Sequence, residues 1–213
     1  MSYGIFNISE WLSWACGIAL FGWSIAFCYR KGSPAYLRSF PIYCFVNVVT
    51  ELIVLLHPAS QSITYFLFTL FELGYFSLFL SKIIQRRFVT ILLWLSDGVY
   101  VGIIVYLLAH FRVIPFGVPE VGEVIVLLPV CLACYVEFFT VFITTELRRE
   151  PSFWIVTGLL FYIVLLLPTL FLSQYYFSKG RPNFARLCYS VNGIALIISY
   201  FLYAKGVTSW RTK

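Results

Sequence analysis

SITYFLFTLFELGYFSLFLSKI, residues 62–83, is the stretch whose reading decides the fold. Apolar and aromatic side chains go all the way round it, so no face suits water. At about 1.5 Å per residue it is long enough to cross the roughly 30 Å hydrocarbon core of a bilayer as one helix. Its one acid, Glu72, lies about halfway along, and its one base, Lys82, lies at the end.

Six further runs have the same length and character: about 9–29, 38–57, 88–109, 123–145, 152–174 and 186–205. Turn chemistry separates them: Lys31-Gly32-Ser33-Pro34, His57-Pro58, Pro115 to Pro119, Glu150-Pro151-Ser152 and Lys179-Gly180-Arg181-Pro182-Asn183 all fall between runs. With 61% hydrophobic and 11% charged residues and a mean hydropathy of +0.90, the composition lies outside the soluble globular range. The predicted fold is all-α, a polytopic membrane protein with one seven-helix transmembrane domain over residues 1–213. The short connections exclude a soluble catalytic, kinase or nucleotide-binding domain.

Basic residues set the expected orientation. Arg30, Lys31 and Arg38 follow the first run, Lys82, Arg86 and Arg87 the third, Arg148 and Arg149 the fifth, and Lys205, Arg211 and Lys213 the last. The positive-inside rule then places the N-terminus outside and the C-terminus in the cytoplasm. Glu10 and the lack of a basic stretch ahead of the first run predict a retained helix rather than a cleaved signal peptide. The net charge of +6 matches this asymmetry and contact with anionic headgroups. It requires no nucleic-acid partner. The expected location is a cell membrane, plasma or internal, and the expected partners are membrane lipids; a homo-oligomer is left open.

Function is sought among four carboxylates inside the runs, Glu51, Glu72, Asp97 and Glu137, with no Lys, Arg or His at comparable depth. An ionised carboxylate in hydrocarbon costs several kcal/mol, so such acids stay neutral, face a polar cavity or hold a cation. Helical spacing gives them company. Tyr43, Asn47 and Glu51 share a face, as do Tyr65, Glu72, Tyr75, Phe76 and Phe79; Trp94 stands a turn from Asp97; and Cys134, Glu137, Thr140 and Thr144 form a stripe. Asn192 is the polar residue of the last run. The candidate catalytic residues are therefore Glu51, Glu72, Asp97 and Glu137, and the candidate substrate-binding residues Tyr43, Asn47, Tyr75, Trp94 and Asn192. Aromatic faces around a neutral carboxylic acid suit an apolar ligand that is or becomes cationic. A plainer use of each acid is an interhelical hydrogen bond of about 1 kcal/mol.

Other motifs point to packing. Cys131-x-x-Cys134 lies in an apolar helix with no second cysteine pair or histidine cluster, so no metal or cofactor is expected. The last run has no mid-depth lysine for a retinal Schiff base. Gly98-x-x-x-Gly102 predicts a close helix contact. Pro129 and Pro168 predict kinks that free backbone carbonyls.

The first third of the chain resembles a known family. A helix from Trp14, a basic turn at Arg30-Lys31-Gly32, then Phe40-Pro41-Ile42-Tyr43-Cys44-Phe45-Val46-Asn47-Val48-Val49-Thr50-Glu51 and His57-Pro58 are similar to the small seven-helix integral-membrane terpene cyclases of fungal meroterpenoid and indole-diterpene pathways. The resemblance implies that Glu51, in the family's Asn-x-x-x-Glu pattern with Asn47, protonates a polyprenyl epoxide or alkene. Thr50 stands where the family has Trp, and Asn192 where it has a second essential Asp. The pattern is also similar to uncharacterised seven-helix proteins of bacteria. The leading expectation is thus an intramembrane, acid-catalysed enzyme, terpene-cyclase-like, acting on an apolar isoprenoid or lipid substrate. A proton-coupled small-molecule transporter or channel, and a seven-helix ligand sensor, are the alternatives.

Overall fold

In the computed structural model, residues 3–111, 117–141 and 147–210 are described. They form seven long helices: α1 (Tyr3–Cys28), α2 (Phe40–Leu56), α3 (Gln61–Ile83), α4 (Arg87–Phe111), α5 (Val118–Val141), α6 (Pro151–Ser178) and α7 (Pro182–Ser209). Short 3₁₀ turns at Ala35–Ser39 and Pro58–Ser60 lead into α2 and α3, and no strand occurs among the described residues. All seven helices are long and apolar enough to cross a membrane. Their outer surfaces carry large apolar side chains, among them Trp11, Phe88, Val99, Phe177 and Phe201, which suits lipid rather than water as solvent.

The number of helices agrees with the sequence prediction, and several boundaries shift, α1 and α7 beginning at Tyr3 and Pro182 ahead of the expected 9 and 186. The fifth helix begins at Val118, ahead of the expected 123, and α6 and α7 run to Ser178 and Ser209. Pro151 and Pro182 stand in the first turns of α6 and α7, where a missing amide hydrogen costs nothing. Pro129 and Pro168 are carried inside α5 and α6. In the stretch where Pro168 removes an amide, Thr169 turns its hydroxyl back onto the carbonyls of Leu165 (2.9 Å) and Leu166 (2.8 Å). Pro115, Arg112, Thr144, Arg211 and Lys213 lie outside the described residues.

The chain divides into two compact units. Unit 1 comprises 1–44 and 148–213, and unit 2 comprises 45–147; α2 has its first turn in one and the rest in the other.

Unit 1 is built on the packing of α6 against α7, with α1 also against α7. Glycines make the α6–α7 approach close. A Cβ on Gly158 would stand 2.7 Å from Cε1 of Tyr203 and 3.1 Å from the carbonyl of Ser199, and one on Gly206 2.9 Å from the carbonyl of Pro151. Small residues let helix backbones approach and gain dispersion contact where lipid offers no hydrophobic drive. The buried Ser199 hydroxyl bonds the carbonyl of Gly158 across the seam at 2.9 Å. Phe40 and Tyr43 from the start of α2 meet Tyr203 edge-on, with ring centroids 5.7 and 6.3 Å apart.

In unit 2, α3 packs against α5 and α4, and α4 against α5. The ring of Tyr75 stacks between Phe71 and Phe79 along α3, each 6.2 Å away. The predicted close contact at Gly98 and Gly102 is not made: a Cβ at either would meet nothing within 4 Å. Both lie on the exposed side of α4. The close approach falls instead at Gly122 of α5, where a Cβ would run into the ring of Tyr100.

Candidate functional site: a carboxylate layer in unit 2

Tyr100 sits near the middle of α4 and donates its hydroxyl to the carbonyl of Pro119 at 3.0 Å, with its ring over Gly122. Pro119 and Gly122 belong to the first turns of α5. That helix therefore starts level with the middle of α4, and it brings Glu120 and Glu123 to that level. Glu72 comes to the same place from the middle of α3.

The result is a layer of acids. Glu72 and Glu123 are 5% and 3% exposed, and Glu72 first and Glu120 second are the acids close enough to Glu123 to interact with it electrostatically. Tyr100 is in turn acted on by Glu123 and Glu120. Oε2 of Glu120 is buried with no hydrogen-bond partner among the described residues. Two carboxyls in apolar surroundings share a proton more readily than they carry two charges.

Asp97 lies one turn before Tyr100 on the same face of α4. Ser77 of α3 is the polar group that acts on it. Ser77 Oγ and Asp97 Oδ1 are both buried and have no hydrogen-bond partner among the described residues, so the two are close neighbours without a well-formed bond. Asp97 thus extends the layer by one helical turn.

Glu137 is held differently. Its carboxylate accepts the backbone amides of Gln85 (3.0 Å) and Arg86 (3.2 Å), and the Arg86 Nε stands 3.9 Å away. It ties the α3–α4 connection to α5 and serves the open amides ahead of α4. The expectation that no base stands at the depth of these acids is corrected here, because α5 carries Glu137 down to the Arg86 turn. Thr140 bonds the Glu137 carbonyl at 3.0 Å; Thr144, placed on the same stripe, lies outside the described residues.

Glu51 is half-buried on α2 and accepts the hydroxyl of Tyr65 from α3 at 3.3 Å. Asn47, one turn earlier, is buried. Tyr75 belongs to the aromatic row of α3. Trp94 is 45% exposed on the outer side of α4. Tyr43 and Asn192 belong to unit 1, the first in the aromatic group around Tyr203, the second with a buried Oδ1 that has no hydrogen-bond partner among the described residues.

Glu120 and Glu123 are the residues that sequence reasoning missed. An apolar run counted from 123 puts both acids at a membrane face. The usable signal was Gly117-Val118-Pro119-Glu120, a glycine with φ of 84° followed by a proline and an acid in a helix's first turn, which together mark an earlier helix start. Among the described residues no three His, Cys, Asp or Glu side chains gather as metal ligands would. Comparison with protein-family models, with curated proteins and with solved structures finds no match for this chain.

Proposed function

We propose that this chain is an integral membrane protein, N-terminus outside and C-terminus in the cytoplasm, that carries protons through unit 2 in support of small-molecule transport. What supports this reading is the buried pair Glu72, halfway along α3, and Glu123, near the start of α5, close enough to interact electrostatically, with Glu120 as a further neighbour. Asp97 follows one turn along, and Glu137 stands at the α3–α4 connection. Along α5, Glu123 and Glu137 are separated by about 21 Å of helix, so the acids are strung along the helices as well as across them. A carboxyl pair that alternates between one and two protons changes its charge by a single unit at the bilayer's centre, the elementary step of a proton-coupled carrier.

The test is proton flux into proteoliposomes carrying an internal pH indicator, driven by a potassium diffusion potential. Wild-type protein is expected to acidify the lumen, and Glu72→Gln and Glu123→Gln to abolish that flux while the protein remains folded in detergent. Wild-type vesicles no more permeable than empty ones, with and without candidate solutes, would refute the reading.

A second reading, an acid-catalysed enzyme on an apolar isoprenoid or lipid substrate, is favoured by one observation: the Tyr65 hydroxyl on the Glu51 carboxylate, next to buried Asn47, the pattern for which the terpene-cyclase resemblance implies a proton donor. A phenol hydrogen bond orients a carboxylic acid for such a step. Membranes incubated with a polyprenyl epoxide would then yield a cyclised product that Glu51→Gln removes and Glu123→Gln does not.

A further inference from the structure

Away from the acid layer, α6 and α7 of unit 1 are joined by a short basic turn, Ser178-Lys179-Gly180-Arg181-Pro182. We infer that this turn docks on the head groups of anionic phospholipids in the leaflet that surrounds it.

The turn is fixed by its backbone. The Gly180 amide donates to the Phe177 carbonyl at 3.0 Å and the Arg181 amide to the Tyr176 carbonyl at 2.9 Å, with Gly180 at φ of 68°. This Schellman closure caps α6 through main-chain groups alone and leaves the side chains free for other contacts. Pro182 then opens α7, and the ring of Phe184 stacks on that of Tyr176 across the turn, centroids 5.3 Å apart. Lys179 and Arg181 are thereby held at the head of the hairpin, one on each side of the glycine, and both are exposed.

The two helices set the depth of that head. At one end the Lys205 ammonium of α7 lies 5.9 Å from the centre of the Trp154 ring of α6. At the other the Lys179 ammonium lies 5.9 Å from the centre of the Tyr175 ring. Aromatic rings accompanied by long cationic side chains mark the two faces of a bilayer. From Trp154 to Tyr175 along α6, and from Lys205 to Phe184 along α7, the helix rises about 32 Å, close to the roughly 30 Å of the hydrocarbon core. With Trp154 and Tyr175 at its faces, Lys179 and Arg181 stand about a turn further out, at the level of the lipid phosphates.

Orientation does not call for these two charges. Arg148 and Arg149 ahead of α6, with Lys205 near the end of α7, already make the opposite end of this helix pair basic. An Arg fork and a Lys ammonium suit phosphate oxygens. The cation of a zwitterionic head group would find no carboxylate along either helix, because no Asp or Glu follows Glu150 in the sequence, so the turn favours a lipid of net negative charge. Phe177 and Phe184, 72% and 50% exposed beside the cations, offer apolar surface that a lipid covers and a soluble anion does not.

The test is photocrosslinking of the full chain in phosphatidylcholine vesicles that contain a trace of phosphatidylglycerol, or of phosphatidylcholine, with a photoreactive group next to the phosphate. Labelled peptides are mapped by mass spectrometry. Wild-type protein is expected to take several-fold more label on residues 175–189 from the glycerol lipid than from the choline lipid, and unlabelled phosphatidylglycerol should compete it away. Lys179→Gln combined with Arg181→Gln should lower that label several-fold, while label near Arg148 and Arg149 stays unchanged and reports an inserted, folded chain. Lys179→Arg alone should keep it. Equal label from the two lipids, or label on 175–189 unchanged in the double Gln variant, would overturn the proposal and leave the basic turn to another anionic partner, such as an acidic protein segment.

Discussion

The hydroxyl of Tyr100 reaches the carbonyl of Pro119 at 3.0 Å, and this bond fixes the depth at which α5 begins. Tyr100→Phe should cost about 1 kcal/mol, the usual worth of a neutral hydrogen bond. Gly122→Ala should cost more, about 1–3 kcal/mol, because the added methyl strikes the Tyr100 ring and must push the helices apart. Thermal unfolding in detergent checks the order, and proton flux should fall in both variants, since each shifts Glu123 relative to Glu72.

Glu72 and Glu123 should behave as one unit. Either single Gln substitution removes a carboxyl from a buried pair, so folded stability is expected to hold or rise while flux is lost. The double variant should be no worse in flux than either single one. A double-mutant cycle on stability should give a coupling of about 0.5–3 kcal/mol; strictly additive effects would show that the two do not interact.

The two amide hydrogen bonds of Glu137 give it a share in stability that can be measured apart from flux. Glu137→Ala leaves the amides of Gln85 and Arg86 without their acceptor and should cost about 2 kcal/mol. Glu137→Gln keeps an acceptor oxygen and should cost about half that. Arg86→Ala should cost under about 1 kcal/mol, because the Arg86 side chain is 62% exposed and such pairs are screened. Melting temperatures of the three variants should rise in that order, with Glu137→Ala lowest.

The α6–α7 seam offers an independent check on unit 1. Gly158→Ala and Gly206→Ala place a methyl within 2.7 and 2.8 Å of side-chain carbons on the facing helix, and each should cost about 1–3 kcal/mol. Ser199→Ala, which loses the bond to Gly158 across the seam and the one to Ala195 within α7, should cost about 1 kcal/mol. Fractional unfolding in a denaturing detergent series measures these differences.

Much of the architecture could be read from residues alone, because a run such as 62–83 satisfies its backbone and its solvent in only one way, as a membrane-length helix. The interior placement of Glu72 followed from its position in that run. Glu123 did not, since hydropathy measures how apolar a segment is and not how deep its first turn is sunk; only the Tyr100 to Pro119 bond fixes that. The glycines show the same limit. Gly98 and Gly102 have the spacing of a helix contact yet face outward, whereas Gly158 and Gly206 make the contact from two different helices, a pairing that no single-helix motif encodes.

Unit 1 is assembled from the two ends of the chain, and α1 packs on α7. Unit 2 is one uninterrupted stretch. During synthesis, therefore, the acid-bearing helices of unit 2 are all made before α7, the helix on which α1 packs. A chain made only as far as α6 would hold all of unit 2 while α1 still lacked the helix on which it packs.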